Sequence, residues 1–226
     1  MQAVILAAGR GTRMGALTES VPKPLLPLGS KNLIEHKLDN LPPLVGEIIF
    51  VVSERDGAIE QYFGSDFRGR RIAYAVQGEL AGSAGALWAA QSFLRGSFLV
   101  MAGDDLYGAA TLKAAAERKW SMTVSPVIAW PKPFNNIIPD ASGDLARIIF
   151  DDASAPARGL IDACLYHFGL EIFEYDPVRI PGTNEYGLPH TVAEIARDIP
   201  IRILEAEFWQ QLNTPEDLRA AEKLFK

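Results

Sequence analysis

The stretch Ala3-Val4-Ile5-Leu6-Ala7-Ala8-Gly9-Arg10-Gly11-Thr12-Arg13-Met14 decides the fold. It opens with a short unbroken apolar run, the pattern of a parallel strand covered on both faces. A glycine-rich turn follows at once. Outward from it, Ile34, Leu38 and Leu41 recur at helical spacing until Pro42-Pro43 stops the helix. A second buried strand reads at Ile48 to Val52, a short helix at Ala58 to Phe63, and a third strand at Ile72 to Val76. An amphipathic helix is predicted over Ala84 to Leu94, then a fourth strand over Phe98 to Met101 that runs into Gly103-Asp104-Asp105. A helix near Ala109 to Lys119 and a strand at Met122 to Ala129 continue the alternation. This order predicts an α/β fold, a Rossmann-like three-layer sandwich with a mixed, mostly parallel sheet and helices on both faces.

After residue 130 the texture changes. Pro131, Pro133, Pro139 and Gly143 punctuate short strands near Ala146 to Phe150 and Ala163 to Phe168. Helices return at Thr191 to Arg197 and Pro215 to Leu224. No repeat, low-complexity tract or linker interrupts the 226 residues, so one domain over 1–226 is expected. At ~150 residues per domain the length alone leaves one large domain or two small ones.

The bulk properties exclude several classes. A chain that is 48% apolar and 22% charged is neither disordered nor fibrous. Its longest apolar runs fall far short of the ~20 residues of a membrane helix. Met1 to Gly9 lacks a basic leader and a cleavage-like end, so it does not read as a signal peptide. The lone Cys164 fits a reducing compartment. A cytoplasmic protein with no membrane partner is expected. Net charge −6 argues against nucleic acid. Residues 1–40 nevertheless hold five basic side chains (Arg10, Arg13, Lys23, Lys31, Lys37) against three acidic ones, which suits a small polyanion held at one site.

Three phosphate-binding readings compete for the glycine-rich turn. A Walker A loop needs Gly-Lys-Ser/Thr after four spacers, which is absent. A dinucleotide fingerprint needs a third glycine, where Met14 stands, and an acidic residue ~20 positions on. The third reading pairs Arg13 in the loop with Lys23 in Val21-Pro22-Lys23-Pro24-Leu25, whose prolines hold it extended. Two cations and a turn of backbone amides can clamp a triphosphate.

Residues 1–35 resemble the opening of the sugar-1-phosphate nucleotidylyltransferase family, whose signature is Leu-Ala-Ala-Gly-x-Gly-Thr-Arg followed by Pro-Lys-Pro-Leu. The resemblance continues through Phe50 to Ser53, Ile59 to Gly64, Gln77 with Gly82 and Ser83, Met101 to Asp104, and Asn213 to Leu218. It implies the nucleotide-diphospho-sugar transferase type of fold, with a nucleotide-binding half at 1–125 and an acceptor-binding half at 126–226. The implied partners are a nucleoside triphosphate, UTP or dTTP, and a sugar 1-phosphate, joined with release of pyrophosphate by Mg²⁺-assisted in-line attack on the α-phosphate. Leu6, Ala7, Ala8, Gly9, Gly11, Thr12, Gln77, Gly82 and Ser83 would bind the nucleotide. Arg13 would hold the leaving pyrophosphate and Lys23 the α-phosphate. Asp104 and Asn213 would hold the metal, with Asp105 free to cap the next helix. Asn135, Asp162 and Glu185 would face the acceptor.

Departures from the family pattern cluster at the acceptor side. Gln211 and its neighbours offer no carboxylate where relatives place a second one, Phe150-Asp151-Asp152 lacks a lysine, Phe134-Asn135 stands for Tyr-Gly, and Asp162 stands for Asn. Trp130, Phe134, Tyr107, Tyr166 and Tyr186 near those carboxylates leave a quaternary-ammonium box open, as for phosphocholine, so a cytidylyltransferase for a non-sugar phosphate such as phosphocholine or inositol phosphate is one alternative. A nucleotide-binding regulator without catalysis is the other alternative. Cys164 reads as strand packing. His36, His167 and His190 have no metal-ligand spacing, and His190 precedes a helix close to Glu185. The resemblance lacks a C-terminal repeat domain, so the bifunctional acetyltransferase form is not expected. Oligomeric state is not legible.

Overall fold

In chain order the first half runs β1 (Gln2–Leu6), α1 (Leu33–Asn40), β2 (Glu47–Ser53), α2 (Ala58–Phe63), β3 (Arg70–Gln77), α3 (Gly82–Ala89), β4 (Phe98–Ala102) and α4 (Ala109–Glu117). The computed structural model describes residues 1–9, 11–54, 57–78, 81–128, 134–152 and 158–224, without the side chains of Thr12, Ile128, Phe134, Asp151, Asp152 and Arg158. Arg10, Ala129, Trp130, Pro131 and Pro133 therefore lie outside the described residues.

The four strands pair in parallel in the order β3-β2-β1-β4. β1 is central, which explains why its run is apolar on both faces. Alternation then divides the core. Val4, Ile49, Val51 and Val100 face Ala84 and Leu87 of α3. Ala3, Ile5, Ile48, Phe50 and Leu99 face Ile34 and Leu38 of α1 and Leu112 and Ala115 of α4. Helices thus cover both faces, as expected. A reciprocal cap starts α1: the Glu35 amide donates to the Asn32 side chain at 2.9 Å, and the Asn32 amide donates to the Glu35 carboxylate at 2.8 Å.

The second half adds β5 (Ser121–Ile128), β6 (Phe134–Pro139), β7 (Leu145–Asp152), β8 (Arg158–Phe168), α5 (Leu188–Ile195), β9 (Arg202–Glu205) and α6 (Pro215–Glu222). β8 joins the halves. Its residues Leu165–Phe168 pair antiparallel with β4, its length pairs with β5, and Ile161 pairs with Asn136 of β6. The register slips between Asp162 and Leu165, a bulge at which Cys164 takes φ 50°. The mixed sheet is therefore parallel around β1 and antiparallel beyond β4, except that β9 pairs in parallel with β5.

Some boundaries differ from those read in the sequence. The helix expected over Ala84 to Leu94 ends at Ala89, and a separate 3₁₀ turn follows at Gln91–Phe93. The strand expected at Ala163 to Phe168 begins five residues earlier, at Arg158. Strands β6 and β9 carry no clear periodic signal; β6 contains two asparagines and a proline, and β9 has four residues.

Candidate active site

In a parallel sheet, ligands settle at the carboxyl ends of strands, above the crevice where the strand order reverses. Here β1 leads outward to β2 and β3, and the chain then returns to place β4 on the other side of β1, so the crevice lies between β1 and β4. A cleft of about 1020 Å³ opens there. Leu6 at the end of β1, Ser53 at the end of β2, Gln77 at the end of β3 and Ala102 at the end of β4 all line it. So do Ala8, Gly9, Arg13, Gly82 and Ser83 from the first half, and Cys164, Tyr166, Glu185 and Leu188 from the second. A small adjoining pocket of about 60 Å³ is walled by Leu6, Ala7, Gly9, Gly11, Lys23, Pro24 and Asp104.

The small pocket holds a charge pair. Lys23, fixed in a 3₁₀ turn between Pro22 and Pro24, is 4% exposed. Its ammonium donates to the Asp104 carboxylate, which stays one-third exposed. Gly103 lets Asp104 approach this closely: a Cβ there would stand 2.7 Å from the Leu6 carbonyl, which accepts the Gly103 amide at 2.9 Å. The next residue differs from its expected role. Asp105 does not cap α4, whose N-cap is Gly108. Its buried carboxylate instead accepts from the Trp209 indole at 3.0 Å. Burial, joined by the neighbouring Asp104 charge, pushes the Asp105 carboxyl up to about 7. Lys37 of α1 is fully buried beside it, and burial pushes its ammonium down to about 8 against the pull of Asp105 and Asp104.

At the far end of the cleft, the Gln77 amide donates to the Gly82 carbonyl at 3.0 Å. Gly82 has φ 87°, and a Cβ there would lie 2.4 Å from the Tyr186 carbonyl oxygen. That vacancy lets the 180–187 segment dock on α3. The Tyr186 amide donates to Ala81 at 2.8 Å, and the Ala84 amide donates to the Tyr186 carbonyl at 3.0 Å. The Ser83 hydroxyl accepts the Leu188 amide at 2.9 Å, so it starts α5 as well as lining the cleft. Glu185 is thereby held exposed at the cleft wall, which the exposed Arg13 also lines. Thr12 begins the 3₁₀ helix that carries Arg13.

Of the three residues expected to face the acceptor, Glu185 lines the cleft. Asp162 lines neither cavity; its carboxylate accepts from the Cys164 amide at 2.8 Å and from the Tyr166 hydroxyl. It braces the bulge that turns Cys164 and Tyr166 into the cleft. Cys164 is therefore not regular strand packing, although burial raises its thiol well above the ordinary range and leaves it a poor nucleophile. Asn135, on β6, also lines neither cavity. Nor does Asn213, whose amide donates to Asp217 at 2.8 Å in the cap of α6. Tyr107 belongs to the core, and the Tyr186 ring packs under the Arg179 guanidinium, so these two do not build an open aromatic box. His190 sits inside α5 rather than before it, stacked on Phe150 at 3.8 Å between ring centres. Tyr166, one of the aromatics expected near the acceptor, does line the cleft, whereas Ser53 carries no site role in the sequence reading and Lys37, counted there only among basic residues suited to a polyanion, is buried. For Lys37 a signal exists, since it falls on the apolar stripe Ile34, Leu38, Leu41.

Asp162 yields a pH prediction. Burial raises its carboxyl from 3.8 to about 6 despite the bonds from Tyr166 and Cys164. A group raised in the folded chain gives stability that is complete below its unfolded value and is lost as pH rises through its folded value. Asp162→Asn cannot ionise. The difference in melting temperature, variant minus wild type, is expected to grow by about 5 °C between pH 4.5 and 7.5. Thermal denaturation across that range checks it, and a difference independent of pH would contradict it.

Residues 2–176 match the model of the Nucleotidyl transferase family. The chain is 27% identical to the bifunctional protein GlmU of Methanocaldococcus jannaschii over 225 residues, covering 99% of this chain and 54% of GlmU. It therefore spans about half the length of that relative. It is also 27% identical to UTP–glucose-1-phosphate uridylyltransferase AglF of Haloferax volcanii, covering 99% of this chain and 96% of AglF. Among solved structures, a Bacillus anthracis protein assigned as a glucose-1-phosphate thymidylyltransferase superposes with a TM-score of 0.83 at 20% identity, over 100% of this chain and 95% of that one. At that identity the likeness bears on fold.

Proposed function

The chain belongs to the nucleotidyl transferase family, and from that premise we propose that it joins a nucleoside triphosphate, UTP or dTTP, to a sugar 1-phosphate and releases pyrophosphate. One observation carries this reading: Lys23 and Asp104 meet at the β1/β4 crevice, beside a cleft walled by both halves of the chain. Residues 1–125 take the nucleotide and residues 126–226 the acceptor.

The attacking group is a phosphate monoester. Its second pKa near ~6 leaves it largely dianionic at neutral pH, so no general base is needed. The chain must align two phosphates and screen their repulsion. Lys23 comes from a buried, proline-braced turn, so its ammonium is held in place before phosphates arrive, and it takes the α-phosphate. Arg13 reaches from the cleft wall to the pyrophosphate as charge builds on it. Gln77, with the Ala8 and Gly82 backbone, meets the base edge, and Glu185 accepts from acceptor hydroxyls.

A divalent cation fits the donor chemistry of Asp104, a hard, part-exposed carboxylate. Among the described residues no three His, Cys, Asp or Glu side chains cluster, so further ligands would be phosphates and water, the usual habit of Mg²⁺. Held by Asp104, Mg²⁺ would supply charge to offset the phosphates.

A nucleotide-binding regulator needs no clamp for a transition state, and Arg13 separates the two readings. Arg13→Ala is expected to lower kcat about 100-fold, the scale of one lost oxyanion donor. Its Kd for nucleotide, by calorimetry, is expected to stay within about threefold of wild type. Unchanged turnover would remove Arg13 from the reaction.

A further inference from the structure

A fully buried lysine needs a reason, because an aliphatic residue would fill the same space without a desolvated charge. Lys37 projects from the same stripe of α1 as Ile34 and Leu38, which do pack as core. Its ammonium donates to the carbonyl of Ala102, the last residue of β4. The same residue is held from its other side, where the Ala102 amide donates to the Tyr107 hydroxyl at 3.3 Å. That hydroxyl is itself anchored on the β8 bulge, donating to Ala163 at 2.9 Å. The Tyr107 ring lies 5.6 Å from the Lys37 nitrogen. Directly after the clamped residue come Gly103 and Asp104. Behind them the buried Asp105 is anchored by Trp209.

We propose that Lys37 is a positioning residue: it clamps the Ala102 carbonyl so that the 103–105 turn presents Asp104 to the small pocket. The assignment rests on the reading of Asp104 as an active-site carboxylate. The competing role is charge balance alone, with Lys37 present only to offset Asp105. The two roles diverge in a paired substitution. Lys37→Met leaves the buried Asp105 with only the weaker influence of Lys23 to offset it and lowers the melting temperature under either role. Lys37→Met/Asp105→Asn restores neutrality while keeping an acceptor for Trp209, so it regains stability. Under the clamp it does not regain function.

The test measures the double variant by amide hydrogen exchange and by pyrophosphate release. The Gly103 amide is expected to exchange at least tenfold faster than in wild type, relative to the Val100 amide of the same protein. That ratio corrects for any residual change in global stability. Turnover is expected to fall about 30-fold in kcat, with the KM for the sugar phosphate within threefold. Wild-type exchange at Gly103 together with wild-type kcat would overturn the proposal and leave charge balance as the role of Lys37. Exchange needs no substrate. If wild type itself releases no pyrophosphate, the functional reading fails, while the Gly103 ratio still supports the clamp when raised and overturns it when unchanged.

Discussion

Lys23→Met is expected to lower kcat about 1000-fold while leaving the melting temperature within about 3 °C of wild type. The loss in turnover corresponds to ~4 kcal/mol of transition-state stabilisation, the scale of a well-placed cation in a dry site. The small effect on folding follows from an asymmetry in the pair. Lys23 is 4% exposed, whereas the Asp104 side chain is 33% exposed. When the lysine is removed, the remaining carboxylate can turn to water. Methionine also keeps the unbranched stem that packs over Gly11. Steady-state pyrophosphate release and thermal denaturation on the same sample check both parts. A variant with ordinary kcat would take Lys23 out of the chemistry.

Asp104→Ala is expected to match that loss of turnover and, unlike Lys23→Met, to lower the melting temperature by about 5 °C. Here the survivor is the buried partner. Removing one member of a fully buried pair costs about 3–5 kcal/mol because it strands a charge. The one-third exposure of Asp104 reduces this to about 2 kcal/mol, and ~2–4 °C per kcal/mol holds for a chain of this length. Equal melting temperatures for the two variants would contradict the asymmetry. The variants also separate folding from chemistry, since both remove turnover and one perturbs stability.

The parallel half is legible in the sequence because physics leaves few options there. A five-residue apolar run that dives into a glycine turn must be covered on both faces, and β1 is. The placing of Arg13 and Lys23 at the cleft and its adjoining pocket is legible because glycine and proline restrict the backbone around them. The antiparallel half is less legible. β8 changes neighbours halfway along, and the bulge that permits this places Cys164 and Tyr166 in the cleft. A bulge carries no periodic signature, so Cys164 looks like strand packing. The same bulge explains Asp162, whose carboxylate serves the backbone it belongs to instead of reaching outward. Lys37 is hidden for a different reason: periodicity locates apolar residues on a stripe and gives no weight to a cation among them.

Pyrophosphate release by the wild-type chain tests the central claim most directly. It is measured with and without Mg²⁺ for UTP, dTTP, CTP, GTP and ATP, each crossed with a panel of sugar 1-phosphates and with phosphocholine. The expected result is Mg²⁺-dependent release for UTP or dTTP with a sugar 1-phosphate. Release with CTP and phosphocholine alone, or from no pair while nucleotide still binds, would contradict it.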